Sequence, residues 1–148
     1  MSFSLYGNYI VTSPEPFYWS EVDREEILFL DDILILNGKI APFGSVADHV
    51  LMCRFGTVML VNGTDKYLLN IKQGERVRFY VTNSSNTRVF NFSIPNTRMK
   101  LVGGDNGKYE KEEWTDQVLL GPSERAVVEI WFDKDGNYPI LHKTPSKT

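Results

Sequence analysis

Three side chains could bind a soft metal ion, and they are the two histidines and the single cysteine of the sequence: His49, Cys53 and His142. A blue-copper centre uses two histidines, a cysteine thiolate and often a weak axial methionine, a role for which Met52 is a candidate. Cys53, however, follows His49 after only four positions on a predicted helix, and His142 lies near the other end of the chain. We therefore predict no metal site, with Cys53 buried as a small apolar residue and both histidines on the surface.

Nucleophilic catalysis is equally poorly supported. Cys53 and His49 share one face of the predicted helix, as a nucleophile and its base would, but the sequence offers neither an orienting acid nor an oxyanion donor. The glycines of residues 103–107 precede no predicted helix, which excludes a phosphate-binding loop. Asp31 and Asp32 are adjacent on a predicted strand, so their carboxylates point to opposite faces. A solvent-facing bulge or edge therefore explains them better than a cation site, and we predict no catalytic or cofactor-binding residue.

Composition describes one ordinary domain. The chain has 148 residues, 42% of them hydrophobic and 13% aromatic, which is enough to build a core. The net charge is −3, and basic residues alternate with acidic ones. Nucleic-acid binding is therefore not expected, because it usually requires a basic stripe. No apolar run approaches the ~20 residues that cross a bilayer, so no membrane partner is expected, and the N-terminus lacks the pattern of a signal peptide.

Alternating apolar and polar residues predict antiparallel strands through residues 57–83. Residues 57–61 and 66–71 flank an Asn62-Gly63 turn, and residues 75–82 form the clearest alternating strand. Residues 87–94 are predicted as the strand that returns from it. Ser45 could cap a short helix over residues 46–54, the only helix that we predict.

The remaining segments complete an all-β prediction. Further strands are expected at residues 5–11, 27–36, 99–102, 117–120, 126–132 and 138–142. Residues 108–114 read as a charged loop instead. Eight or nine short strands separated by regular turns predict an all-β, Greek-key β-sandwich or barrel with the one short helix.

Six segments occur in an order that is itself informative: residues 5–11, 60–63, 74–83, 87–94, 101–107 and 119–126. Their order and spacing resemble the second domain of multicopper oxidases of the laccase and copper-efflux oxidase group, a cupredoxin-like β-sandwich. Two positions depart from the family pattern. Asn106 is inserted where Asp usually meets Gly, and Ser123 stands where the family's turn has Gly.

This resemblance implies a parent enzyme that reduces dioxygen to water on copper. The family's copper ligands come from His-x-His pairs in the first and last domains and from a Cys flanked by His near the C-terminus. The present sequence has no His-x-His pair, so copper is expected in the parent and no cofactor in this chain. The resemblance further implies that residues 1–12 exit a preceding domain and that residues 13–148 form a single cupredoxin-like domain. The resemblance also suggests an extracytoplasmic protein, periplasmic or secreted.

The predicted function is accordingly structural. The domain would separate the copper-bearing domains, and residues 13–23 and 103–116 could line the reducing-substrate site. One alternative is a copper-free cupredoxin-fold scaffold or protein-interaction domain, and another is a free-standing small copper protein. The expected partners are the neighbouring domains. If the chain occurs alone, an apolar patch around Phe17, Tyr18 and Trp19 or on the terminal strands is expected to drive self-association.

Overall fold

The computed structural model describes residues 7–41 and 54–143, where all regular structure is β-strand. The strands are β1 (Arg24–Ile33), β2 (Ile35–Leu36), β3 (Lys39–Ile40), β4 (Val58–Val61), β5 (Arg76–Asn83), β6 (Phe90–Ser93), β7 (Arg98–Gly104), β8 (Gly107–Trp114), β9 (Val118–Leu120), β10 (Arg125–Trp131) and β11 (Leu141–His142). The all-β prediction is therefore confirmed. The helix predicted over residues 46–54 lies outside the described residues except for Arg54, which is not helical.

The larger sheet has six strands in the order β4-β1-β5-β10-β7-β8. β1 lies parallel to β5, with Arg24 opposite Val77, and antiparallel to β4 on its other side. The remaining pairs are antiparallel. Within the described ranges, no helix has the length and hydropathy to cross a membrane.

The smaller sheet contains β11, β6 and β9, and the hydrophobic core fills the space between the two sheets. β5 shows how the sequence builds this core, because Val77, Phe79 and Val81 point inward while the intervening residues point outward. Phe90 and Phe92 of β6 meet them from the other sheet. β2 and β3 form a separate two-stranded hairpin.

The strand predicted at residues 66–71 is not a strand in the structure. Its side chains do alternate, with Tyr67, Leu69 and Ile71 packed against the core, but its backbone joins no ladder. The reason is that β4 pairs with β1 and not with the following segment. Asn62 helps to fix that choice, since its side chain accepts from Phe29 N (2.8 Å) and donates to the backbone of β1.

The strand predicted at residues 87–94 is present as β6, but the prediction that it returns alongside β5 is wrong. β5 pairs with β1 and β10, and β6 crosses to the smaller sheet, where it pairs with β9 and β11. Asn83, at the end of β5, is fully buried and joins the two sheets: its amide nitrogen donates to Leu120 O (2.9 Å) and Arg88 O (2.7 Å). The residues of the turn after β5 therefore do not reveal that the chain crosses there to the smaller sheet.

Two further predictions, for residues 108–114 and for residues 5–11, need correction. The charged residues 108–114 form an edge strand, β8, and not a loop, because only one side of that strand has to find a partner. Its charges suit an edge, where they discourage pairing with another chain. Conversely, residues 7–11 of the strand predicted at 5–11 form no strand, and residues 5 and 6 lie outside the described ranges.

Candidate functional site

Of the three predicted candidate metal ligands, the structure describes His142; His49 and Cys53 lie outside the described residues. His142 ends β11, packs edge-on against Phe90 with the ring centroids 5.5 Å apart, and accepts a hydrogen bond at Nδ1 from the backbone of Asn91 (3.0 Å). Burial and the nearby charge of Arg88 lower the pKa of His142 below its ordinary value. The ring is therefore held neutral with its proton on Nε2, and Nδ1 is not free to bind a metal.

The donor set in the described part of the chain does not fit a copper site. Residues 7–41 and 54–143 contain no group of three His, Cys, Asp or Glu side chains arranged to hold a metal ion. A blue-copper centre would need a second histidine and a thiolate beside His142. No copper chemistry is therefore assigned to these residues.

The acidic pair of β1 is structural, and the prediction that it faces solvent is wrong for Asp32. The Asp32 carboxylate forms an ion pair with Arg88 (2.8 Å) and accepts from Gly56 N (2.6 Å). Burial raises the pKa of the neighbouring Asp31, although the backbone of Asp32 donates to it and opposes the shift. The Asp32 carboxylate therefore ties β1 to Gly56 and Arg88.

Charged side chains of alternating sign cross the outer face of the large sheet. Lys100 on β7, Glu129 on β10, Arg78 on β5 and Glu25 on β1 occupy paired positions of adjacent strands. Arg78 and Glu129 are 3% and 0% exposed, and Arg78 Nη2 lies 2.7 Å from Glu129 Oε1. Arg78 Nη1 reaches Glu25 at 2.6 Å. We call Glu25, Arg78 and Glu129 the charge row.

The charge row shifts the pKa of Arg78 and of the neighbouring Tyr80. Burial alone disfavours the charge on Arg78, but hydrogen bonds to Glu129 and Glu25 outweigh it and raise the pKa of the guanidinium. Burial and the charge of Glu25 likewise raise the pKa of Tyr80, which donates to Glu25 (3.2 Å). Within the described residues, Oε2 of Glu129 has no hydrogen-bond partner. Arg78 therefore stays charged and Tyr80 stays neutral near neutral pH.

Residues 13–20, which we call the strap, cover this charge row. The Trp19 ring lies 5.2 Å from the guanidinium carbon of Arg78, and Ser20 Oγ donates to Glu129 (2.7 Å). Ser20 also accepts from Arg78 through its carbonyl oxygen. The strap therefore explains why charged side chains on the outward face of this sheet are buried.

Two glycines of the β7–β8 hairpin make room for the strap. A Cβ at Gly103 would lie 2.7 Å from the Trp19 ring, and one at Gly107 would lie 2.6 Å from the hydroxyl of Tyr18. That hydroxyl accepts a hydrogen bond from Lys108 N (3.0 Å). The glycine-rich loop that the sequence marks is thus a packing surface for the strap.

The residues before and within the strap expose apolar side chains. Tyr9 is 92% exposed, Phe17 84%, and Val11 is also largely exposed. Tyr18 and Trp19, by contrast, are partly buried against each other and the sheet, with ring centroids 5.1 Å apart. The predicted patch around residues 17–19 is therefore exposed only in part, and its apolar surface continues toward residue 9.

Sequence reasoning missed the charge row, which is the most strongly buried polar cluster of this face. One signal was present: Arg78 and Glu129 occupy outward positions of two strongly alternating strands. Their pairing depends on β5 lying beside β10, which no local pattern specifies. The site therefore combines a sheet face covered by the strap with an exposed leading segment, residues 9–17. The charge row of Glu25, Arg78 and Glu129 contains no nucleophile.

The fold is similar to that of several solved oxidases. A multicopper oxidase from Pseudomonas thermotolerans superposes with a TM-score of 0.73 and 22% identity, covering 86% of this chain and 31% of that one. Lac15 from a marine microbial metagenome gives a TM-score of 0.67 and 24% identity, covering 91% of this chain and 32% of that one. The sandwich is therefore of the cupredoxin-like kind, as the sequence predicts.

Sequence comparison gives the family. The family model described as multicopper oxidase matches residues 26–148, and the chain belongs to the multicopper oxidase family, whose members are copper-dependent oxidoreductases. Multicopper oxidase LPR1 from Arabidopsis thaliana is 35% identical over 95 residues, which cover 64% of this chain and 15% of that protein. The chain thus spans a small part of the curated relative and less than a third of the solved oxidases.

Proposed function

We propose that this chain serves as the copper-free second domain of a multicopper oxidase and holds the copper-bearing domains in place. The observation that carries the proposal is coverage: the whole sandwich matches only 31% of a solved oxidase, although it accounts for 86% of this chain. In this proposal residues 1–12 leave a preceding domain and residues 13–148 form one cupredoxin-like unit. Any oxidation of substrate and reduction of dioxygen belongs to the parent enzyme.

The exposed leading segment is the surface that we assign to a neighbouring domain. Tyr9, Val11 and Phe17 present apolar side chains to solvent in the isolated chain, and such patches are typical of interaction sites. The strap and the charge row beneath it give this segment a rigid support. Residues 13–23 and 103–116, which touch through Tyr18 and Lys108, are the parts that we assign to a wall of the reducing-substrate site.

Copper binding by the isolated chain tests the first part of the proposal. The 148-residue chain is incubated with Cu(I) or Cu(II), passed over a chelating resin and measured by elemental analysis and visible absorbance. We expect no retained copper and no blue thiolate–copper band. One retained equivalent with a blue band would contradict the proposal and favour a small copper protein, in which His142→Ala should then abolish the colour.

The flanking reading frame tests the second part. His-x-His pairs upstream and a Cys flanked by His downstream are expected. Their absence would favour a copper-free scaffold protein on the same fold.

Self-association tests the assigned surface. If Tyr9, Val11 and Phe17 normally face another domain, the isolated chain should associate with itself as its concentration rises. The double variant Val11→Ser/Phe17→Ser should lower the average mass measured by light scattering. Leu36→Ser, on the exposed β2–β3 hairpin, is the matched control and should leave it unchanged. A wild-type chain that stays monomeric at every concentration would contradict this assignment.

A further inference from the structure

A cavity of ≈ 670 Å³ lies at the edge of the sandwich where the two sheets are not joined. Among the strands of residues 7–41 and 54–143, β4 ends the large sheet beside β1, and β11 ends the small sheet beside β6. Residues 66–71 run between these two edges without pairing to either. We call the opening between these two edges the seam and the cavity in it the seam cavity. The volume of the cavity falls within the roughly 300–1,000 Å³ of small-molecule sites.

The floor and walls of this seam cavity are aromatic. Phe79 of the large sheet and Phe92 of the small sheet are both buried and line it from opposite sides. Phe132 packs edge-on against Phe79, with centroids 6.4 Å apart, and against Tyr138, with centroids 5.1 Å apart. Leu69 contributes an aliphatic wall from the unpaired segment. Aromatic rings in edge-on contact favour further flat rings as neighbours.

Several uncharged polar residues line the cavity, among them His142 and Tyr67. His142 Nδ1 is occupied by the backbone of Asn91, so its remaining ring proton is a donor at Nε2. The Tyr67 hydroxyl forms no hydrogen bond within the described residues. Burial raises the pKa of Tyr67 and lowers that of His142, so both stay neutral near neutral pH.

Among the described residues that line the cavity, positive and negative charges are equal in number. Lys72 and Lys134 contribute two positive charges, and Asp65 and Asp135 contribute two negative ones. Neither an anion nor a cation is therefore favoured by these side chains, whereas an uncharged ligand avoids the cost of desolvating a charge.

We propose that the seam cavity binds one uncharged aromatic molecule that carries a hydrogen-bond acceptor. The rings pack between the phenylalanines of the two sheets, and the acceptor receives the Nε2 proton of His142. This site is independent of copper and of the assigned domain contact, since its lining belongs to the core side of the sheets and not to the outer face.

Fluorescent probes test the proposal on the 148-residue chain. Prodan is neutral, aromatic and carries a carbonyl acceptor, and N-phenyl-1-naphthylamine is neutral and lacks a carbonyl. We expect each to bind saturably with one equivalent and a blue-shifted emission. The anionic 1-anilinonaphthalene-8-sulfonate should bind at least about tenfold more weakly, because its charge must be desolvated. Unsaturable binding of prodan, or tighter binding of the anionic probe, would overturn the proposal.

Variants locate the site. Leu69→Trp should fill the cavity and weaken both neutral probes by about tenfold or more, whereas Leu119→Trp, at an exposed position outside the lining, should leave them unchanged. His142→Phe should weaken prodan by roughly fivefold through the lost hydrogen bond and leave N-phenyl-1-naphthylamine unaffected. Equal losses of both probes in His142→Phe would overturn the assigned role of Nε2.

Two further measurements keep the test valid if a variant does not fold. Circular dichroism checks each variant, and crystals of the wild-type chain are soaked with prodan. Density for prodan between Phe92 and Tyr138 would support the proposal. Density elsewhere on the surface, or unchanged prodan affinity in a folded Leu69→Trp variant, would overturn it.

Discussion

Arg78 and Glu129 form a buried ion pair on the outer face of a sheet, with Nη2 and Oε1 2.7 Å apart. Pairing alone does not repay the removal of two charges from water, so additional partners are needed. Arg78 also donates hydrogen bonds to Glu25 and to the carbonyl oxygen of Ser20. Glu129 accepts a further hydrogen bond from the hydroxyl of Ser20. The pair is thus coupled to the strap that covers it.

Breaking this pair from one side should be costly. Arg78→Met leaves Glu129 as an uncompensated buried charge, and we expect a loss of about 3–5 kcal/mol in the free energy of unfolding. Arg78→Met/Glu129→Leu removes both charges and should recover most of that loss. Chemical denaturation of the single and double variants measures the difference.

The matched control for this cycle is Arg98→Met, which breaks the exposed pair between Arg98 and Asp133. It should leave the free energy of unfolding close to that of the wild type, since exposed pairs contribute little. A double variant as unstable as Arg78→Met would mean that packing against Trp19, and not charge, accounts for the loss.

Asn83 should be among the polar residues that tolerate substitution least. It is fully buried; its amide donates to two carbonyls, and its oxygen accepts from Ser85 N (3.0 Å) and Ser85 Oγ (2.7 Å). Asn83→Ala leaves these groups without partners, and we expect a loss of about 3 kcal/mol in urea denaturation. Asn86→Ala, at an exposed neighbouring position, should stay within about 0.5 kcal/mol of the wild type.

Ser123 offers a stabilising substitution. It has φ 68, in the left-handed region that costs a residue with a Cβ about 1 kcal/mol or more. Ser123→Gly removes this cost and should raise the melting temperature by about 2–4 °C in thermal denaturation. Ser123→Ala keeps the Cβ and should give no increase. A rise in both variants would point to the hydroxyl and not to the backbone.

His142 should make stability depend on pH. Burial, and then the charge of Arg88, lower its pKa in the folded state below the reference value of 6.5. The unfolded chain therefore takes up a proton first, and stability should fall as the pH drops below about 6.5 toward the folded-state pKa. Melting temperatures measured between about pH 7.5 and 5.5 should show this slope in the wild type.

His142→Asn provides the comparison, because its amide oxygen can accept from Asn91 N without titrating in this range. The variant should lose the part of the slope that belongs to His142. An identical slope in both proteins would place the titration in other groups.

The parts of the fold that local pattern decides were predicted well. β5 and β10 alternate strongly, and the structure makes them adjacent central strands with one face in the core. The turn before Glu124 was also predicted. Ser123, which stands where the family's turn has Gly, has a left-handed backbone conformation.

The parts that depend on distant partners were not predicted. Residues 66–71 have the correct alternation but no ladder, because β1 takes β4 as its partner. Residues 108–114 were predicted as a loop, since an edge strand tolerates charges on both faces. The burial of Arg78 followed from the strap, which lies far from it in sequence. The alternation of apolar and polar residues predicts which face of the sheet a residue occupies, but not which other segment covers that face.

The parallel pairing of β1 with β5 also constrains how the chain is made. During synthesis β1 leaves the ribosome first, but its register partners at Val77 to Asn83 follow much later. β5 in turn needs β10, which comes near the end of the chain. Non-local contacts of this kind slow folding and leave early strands exposed while they wait. We infer that the nascent domain gains its structure almost entirely after β10 has emerged, and that stalled shorter chains depend on chaperones to remain soluble.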